Sequence, residues 1–324
     1  MKINAMVICL LMMIPIVGVA QEKDTLIKKL DSTNKVQPDT SKNRHNDIKQ
    51  ENYNEVTKLT ARTYFLLLAS DIKQQFSAPF HIKQKDYSKL ALFGLATGVL
   101  IASDESINHF AVNIRNNNES VVGVSKYVTR FGGQYEAIVL VGLGTYGFVF
   151  KNEKLKTTTL LATQAYISSA LIFESMKFLS GRQRPNYYDP KTGENDPTWH
   201  GPIYQFKKTP EGTKPPANSY TSFPSGHTTL AFAAATVFAM EYRDRPLVPI
   251  IAYSAASLIG LSRITENKHW ASDVFVGATL GYLCGKQVVN NYHRYNKLQK
   301  QKQSLSFNIN YFGGKLLPGV VYRF

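Results

Sequence analysis

Cysteine is nearly missing from this chain, with only Cys9 and Cys284 in 324 residues. Cys9 lies in a stretch expected to be removed, and a lone Cys284 can form no internal disulfide, so stability has to come from packing. Neither cysteine has a partner at metal-ligand spacing, which excludes a zinc site built on thiolates. Acidic residues are also scarce: 23 Asp and Glu face 38 Lys and Arg, a net charge of +15. That imbalance points to anionic partners, which are nucleic acid, a lipid surface or phosphorylated substrates. Apolar stretches of the roughly twenty residues that span a bilayer core are largely lacking too. The apolar segments at 90–102, 137–150, 159–179, 228–240, 247–261 and 274–289 are mostly nearer fifteen.

The N-terminus has the layout of a secretory signal. Lys2 precedes an apolar run that ends in Gly18, Val19 and Ala20, just before Gln21. Residues 1–20 are therefore expected to be a signal peptide, with an uncleaved anchor as the competing reading. Export fits nucleic acid poorly and a phosphorylated or membrane-surface partner better. Residues 21–58 are polar and charged and read as a flexible leader. No internal repeat is visible.

The six apolar segments are rich in Ala, Leu, Gly and Ile and read as helices. An all-α bundle of about six core helices is expected over 59–300, either as a short-spanned membrane bundle or as a helical periplasmic domain. Lys151, Lys154 and Lys156, then Arg243 and Arg245, then Arg294, Lys297, Lys300 and Lys302 fall on one side of such a bundle. The opposite side carries Lys191, Lys207, Lys208 and Lys214, so charge alone leaves the topology open. Residues 186–222 hold six prolines and read as a long loop beside a site. In the tail, 301–324, Leu305, Phe307, Ile309 and Tyr311 alternate with polar residues before Gly313-Gly314, and a short β-hairpin is expected.

Three pieces carry chemistry. The stretch SFPSGHTTLAF delivers His227 into an apolar run behind Ser225 and Gly226. A helix beginning there points free backbone N–H groups at the junction and makes an anion site. In SRITENKHWASD, His269 and Asp273 are four apart, so on a helix they share a face and can hydrogen-bond. A carboxylate on one ring nitrogen would leave the other free to attack or to accept a proton. Arg263 ends the preceding apolar segment, where an unpaired charge is costly unless it meets an anion. In KFLSGRQRP, Lys177 stands about two turns before Arg184. Taken singly, each piece has a bland reading: a helix cap, a surface ion pair, a snorkelling lysine before a helix-ending proline. All three, however, lie at helix ends on one side of the expected bundle. Their cations suit a dianionic phosphate, with each arginine offering a bidentate fork.

Lys177 with six residues before Arg184-Pro185, then Pro224-Ser225-Gly226-His227, then Ser262-Arg263 with five residues before His269 and three before Asp273, resembles the type 2 phosphatidic acid phosphatase superfamily. The resemblance runs over about 90–290. It implies a helical core and a phosphatase that needs no metal or cofactor and works through a phosphohistidine. His269 would be the nucleophile, oriented by Asp273, and His227 the general acid. Lys177, Arg184 and Arg263, with Ser225 and the Gly226 amide, would hold the phosphoryl oxygens. The reading that follows is an envelope lipid-phosphate phosphatase at the outer face of the inner membrane. Its candidate substrates are undecaprenyl diphosphate, phosphatidylglycerol phosphate and lipid A. A soluble periplasmic acid phosphatase and a vanadate-dependent haloperoxidase are the alternatives. Substrate selectivity is expected in residues 186–222 and 104–134, neither of which has a readable code.

Overall fold

The computed structural model describes residues 59–187, 197–207, 216, 218–312 and 315–322. The expected signal and leader lie outside these. From Ala61 to Ser304 the described chain is mostly helical. Its α-helices are α1 (Ala61–Ser77), α2 (Tyr87–Asn116), α3 (Glu119–Phe131), α4 (Gln134–Val149), α5 (Glu153–Ser180), α6 (Gly226–Glu241), α7 (Leu247–Thr265) and α8 (Ala271–Ser304). Asparagine caps open α3 and α5, with Asn118 and Asn152 accepting from the N–H groups of Val121 and Leu155.

Two of these eight helices, α1 and α3, go beyond the six expected from apolar segments. In α1, Ser70, Asp71, Gln74 and Gln75 interrupt the apolar pattern, yet they are what fastens it. Gln75 Nε2 donates to Ser168 Oγ at 3.1 Å and Asn291 Nδ2 to Asp71 Oδ1 at 2.6 Å. Helix α3 packs on α7 through hydroxyl pairs, Ser125 with Thr265 at 2.7 Å and Thr129 with Ser262 at 2.8 Å. Buried polar groups satisfied across helices give no hydropathy signal. The last helix runs to Ser304, a little beyond the expected limit at residue 300.

Helices α6 and α8 form the centre. Almost every residue of α6 from Gly226 to Val237 is buried. Against it α8 presents Gly277, Gly281 and Gly285, spaced one turn apart; a Cβ on Gly281 would lie 2.2 Å from Thr229 O. Only a side chain of hydrogen permits that approach. One apolar cluster around Leu161, Val237, Val288 and Tyr292 and another around Phe173, Trp199, Phe223 and Leu280 fill the bundle on either side.

The outer surface is apolar. Leu92, Leu95 and Val99 on α2, Ile138 and Val141 on α4, and Ile250, Ile251 and Leu258 on α7 are exposed. Among the described residues, two helical stretches, Gln84–Asn116 and Leu247–Thr265, are long and apolar enough to cross a membrane. Helix α2 runs well beyond the apolar segment 90–102 read from the sequence, because polar residues such as Ser103, Asp104 and Asn108 break the apolar run without ending the helix.

The loop after α5 returns to the helix that it leaves. His200 N–H donates to Gly181 O and Gly201 N–H to Ser180 O, both at 3.1 Å. Gly181 caps α5 with φ 54°, and a Cβ there would sit 2.1 Å from Gly201 O, so both conformation and contact demand glycine.

Candidate active site

Three chain segments meet at one end of the bundle, and Asp273 ties them together. Its Oδ1 accepts from Arg182 Nη1 at 2.5 Å. Its Oδ2 accepts from Ser222 Oγ at 2.5 Å and from the Trp270 N–H at 2.9 Å. Its carbonyl accepts from the Ser225 N–H at 3.0 Å. Trp270 Nε1 adds a further link by donating to Gln183 O at 2.8 Å.

His269 departs from the expected geometry. It lies before α8, which starts at Ala271, so it does not share a helical face with Asp273. Its Nδ1 is 3.6 Å from Asp273 Oδ2, too far for a hydrogen bond. The partner is instead the Ser222 carbonyl, at 2.7 Å. A carbonyl oxygen only accepts, so Nδ1 carries the proton and Nε2 keeps its lone pair. Asp273 acts on His269 at one remove, by fixing Ser222 through its hydroxyl. His269 is buried, and burial first, then Arg184, Arg263, Lys177 and His227, holds the imidazole well below its ordinary 6.5.

That set of neighbours shows which candidate residues converge. Lys177, Arg184, Arg263 and His227 all bear electrostatically on His269. Lys177 Nζ would lie 3.1 Å from a Cβ on Gly226, which puts the lysine against the start of α6. Ser225 is the N-cap residue of α6, and its Oγ pairs with Thr228 Oγ1 at 2.8 Å. Lys177 is steadied by Glu174 at 2.9 Å and Arg263 by Glu266 at 3.2 Å. Arg184 has no ion pair among the described residues, and its buried Nε lacks a hydrogen-bond partner. Burial, followed by Arg263, lowers its guanidinium to about 10, with Asp273 and Glu174 acting in the opposite direction. A buried orphan donor beside two further cations fits an anion. The eight residues singled out in the sequence thus meet at one site.

Several residues that shape this site were not singled out. Arg182 is fully buried and bonds Asp104, Asp273 and Ser272. It stood inside KFLSGRQRP, but nothing local separates it from Arg184. Asp104 lies in the apolar helix α2 and accepts from Ser272 N–H and Oγ as well. An acid inside an apolar helix was the available signal, since such a charge requires a partner. Gly132 and Gly133, between α3 and α4, back the His227 ring: a Cβ on Gly133 would lie 3.1 Å from His227 Nε2.

Parts of the chain are similar to known proteins. Residues 157–297 match the model of the PAP2 superfamily. The chain is 51% identical over 85 residues to Lipid A 1-phosphatase of Porphyromonas gingivalis, which covers 26% of this chain and 18% of the relative. It is 31% identical over 154 residues to Lipid phosphate phosphatase 1 of Arabidopsis thaliana, covering 40% and 44%. The matches thus span less than half the length of these two relatives. The crystal structure of a transmembrane PAP2 type phosphatidylglycerolphosphate phosphatase from Bacillus subtilis aligns over 63% of this chain and 96% of that one, with 21% identity and a TM-score of 0.44. All eight motif residues from Lys177 to Asp273 fall inside residues 157–297, the stretch that matches the PAP2 superfamily model.

Proposed function

We propose that this chain is an envelope lipid-phosphate phosphatase that works through a phosphohistidine at His269. The observation that carries the proposal is the His269 Nδ1–Ser222 O bond at 2.7 Å, because it leaves the Nε2 lone pair free on a ring that Lys177, Arg184 and Arg263 act on electrostatically. Nε2 attacks phosphorus while the bond to the leaving oxygen breaks and His227 supplies the proton that the leaving group takes. A water then gives its proton to His227 and attacks phosphorus as the Nε2–P bond breaks, which releases phosphate and restores His269. Lys177, Arg184 and Arg263, with the Gly226 amide at the start of α6 and the Ser225 hydroxyl, hold the three phosphoryl oxygens as charge redistributes. Asp273 keeps the site in register through Ser222 and Arg182. No step requires a metal.

The lipid part of the proposal draws on the exposed apolar faces of α2, α4 and α7 and on the relatives' names. We place the protein in the inner membrane with the site facing the periplasm, and the helical phosphatase domain over 59–300. For the tail, the antiparallel pairing of Leu305–Phe312 with Lys315–Tyr322 supports a short hairpin.

The test is phosphate release by the purified protein in detergent with EDTA present, comparing undecaprenyl diphosphate, lipid A and p-nitrophenyl phosphate. Preference for a lipid that disappears in His269→Ala supports the proposal. Faster turnover of the soluble ester moves the assignment to an acid phosphatase, and full activity in His269→Ala overturns the mechanism.

A further inference from the structure

Helix α3 is amphipathic the wrong way round for a helix packed on a protein. Ser125 and Thr129 are buried against α7, where their hydroxyls pair with Thr265 and Ser262. Val124, Tyr127 and Phe131 point outward and are 62%, 64% and 38% exposed. An ordinary surface helix turns its apolar stripe to the core instead. Lys126 and Arg130, one turn apart, stand exposed beside the apolar face, and no ion pair engages either among the described residues.

The aromatic surface continues past the helix. Tyr127 meets Phe131 with ring centroids 5.3 Å apart, and Phe131 meets Tyr135 in the first turn of α4 at 5.7 Å. Exposed apolar side chains, aromatic rings with a polar tip and two free cations on one helix suit a membrane–water boundary, where each kind of group finds its own layer. Water alone would leave the rings uncovered, and an apolar protein contact would supply no anion to the cations.

Length and packing fix where α3 lies. Its 13 residues rise about 20 Å, short of the roughly 30 Å hydrocarbon core, so it does not span. It joins α2 to α4 and packs on the last turns of α7, at the site end of the bundle. It is also tied to the cage itself, because Thr129 Oγ1 accepts from Arg263 Nη1 at 3.4 Å. The Gly132–Gly133 turn that follows α3 closes on His227: a Cβ on Gly132 would lie 2.3 Å from Ile259 Cγ2 and 3.3 Å from His227 Cβ. A surface that seats α3 therefore lies about one helix diameter, roughly 10–12 Å, from the cage.

We propose that α3 is an in-plane helix that docks on the headgroup layer of an anionic lipid surface. Tyr127 and Phe131 dip into the boundary, and Lys126 and Arg130 meet lipid phosphates. Docking sets the depth of the cage, so that the phosphate of a lipid reaches Arg263 and His227 while its chains stay in the bilayer. The proposal rests on the membrane placement above and not on the phosphoryl-transfer chemistry, so it is tested without turnover.

The two tryptophans of the chain, Trp199 and Trp270, are buried, so an added one reports its own surroundings. The experiment reconstitutes Tyr127→Trp, and Leu95→Trp on the exposed face of α2 as the bilayer reference, in phosphatidylcholine vesicles with and without phosphatidylglycerol. The positions changed are exposed, so the fold is kept. Fluorescence is quenched from the water by acrylamide and from the bilayer by lipids brominated near the headgroup or at mid-chain. Tyr127→Trp is expected to respond most to the shallow bromines and Leu95→Trp to the deep ones. Acrylamide quenching of Tyr127→Trp is expected to fall about threefold when phosphatidylglycerol is added, and Lys126→Gln with Arg130→Gln should abolish that fall. A Tyr127→Trp signal open to acrylamide and untouched by bromine places α3 in water; one shielded from both places it under protein. Either overturns the proposal, as does strongest quenching by the deep bromines or a fall that survives the two glutamines. Shallow quenching at position 127 with none at position 95 leaves the proposal standing and removes α2 as a membrane span.

Discussion

Arg182 Nη2 donates to Asp104 Oδ2 at 2.6 Å, and both side chains are wholly buried. Through this pair the apolar helix α2 is bound to the loop after α5, and through Nη1 of the same guanidinium to Asp273. The rings of Trp199, Trp270 and Phe223 surround the cation, with its centre 4.6, 5.7 and 5.8 Å from their centroids. One cation between two carboxylates, with no solvent access, fixes the geometry beneath His269.

Removing Arg182 should therefore act on stability first. Arg182→Ala leaves Asp104 and Asp273 as buried charges without their cation, a loss of about 3–5 kcal/mol. Arg182→Lys should fail to restore it, because an ammonium cannot reproduce the fork. Thermal unfolding in detergent is the measurement. A midpoint unchanged in Arg182→Ala would mean that the network does not support the fold.

Arg184, two residues on, should behave in the opposite way. Its guanidinium has no ion pair among the described residues, so Arg184→Ala should leave the unfolding midpoint nearly unchanged. Inorganic phosphate inhibition should weaken by about tenfold or more, the loss expected for a charge-assisted hydrogen bond of roughly 1.5–3 kcal/mol. Unaltered inhibition would place Arg184 outside the anion site.

The pH dependence follows from His269. Its native pKa lies well below 6.5, through burial first and the surrounding cations second, so Nε2 stays unprotonated on the acid side of neutrality. The acid limb of kcat/KM should accordingly be set below pH 6.5. For stability the sign is the reverse of that for a salt-bridged histidine. The unfolded chain takes up a proton at about 6.5 and the native site does not, so lowering the pH through that value favours unfolding. An acid-side activity loss centred above pH 6.5 would contradict this.

Helix packing gives a test independent of the site chemistry. Gly281→Ala introduces a methyl group 2.2 Å from Thr229 O, a backbone atom that cannot swing aside. The expected cost is about 1–3 kcal/mol of stability, read from the unfolding midpoint. Gly98→Ala, where the added carbon meets nothing within 4 Å, should show no such loss.

Much of the site was legible because its residues stand at chain positions set by helix ends. Lys177 and Arg184 flank the end of α5, Ser225 to His227 open α6, and Arg263 to Asp273 join α7 to α8. Periodicity places those ends, and antiparallel neighbours place them on one side. Helix α1 escaped because its polar residues satisfy one another across helices. The 186–222 loop was legible as a loop, whereas nothing in its composition indicated that 197–207 would fold back on Gly181.

The sequence by itself indicated six of the eight described helices, the cationic character of the site and the eight residues that meet there, since these depend on local periodicity and side-chain type. The tertiary structure alone decided how the groups pair. Four residues of spacing placed Asp273 within reach of His269, but the turn before α8 gave His269 Nδ1 to the Ser222 carbonyl and Asp273 to Arg182, Ser222 and Trp270. Which donor meets which acceptor depends on distances of a few tenths of an ångström between segments far apart in the chain, and only the packing of α2, α5, α6 and α8 sets those.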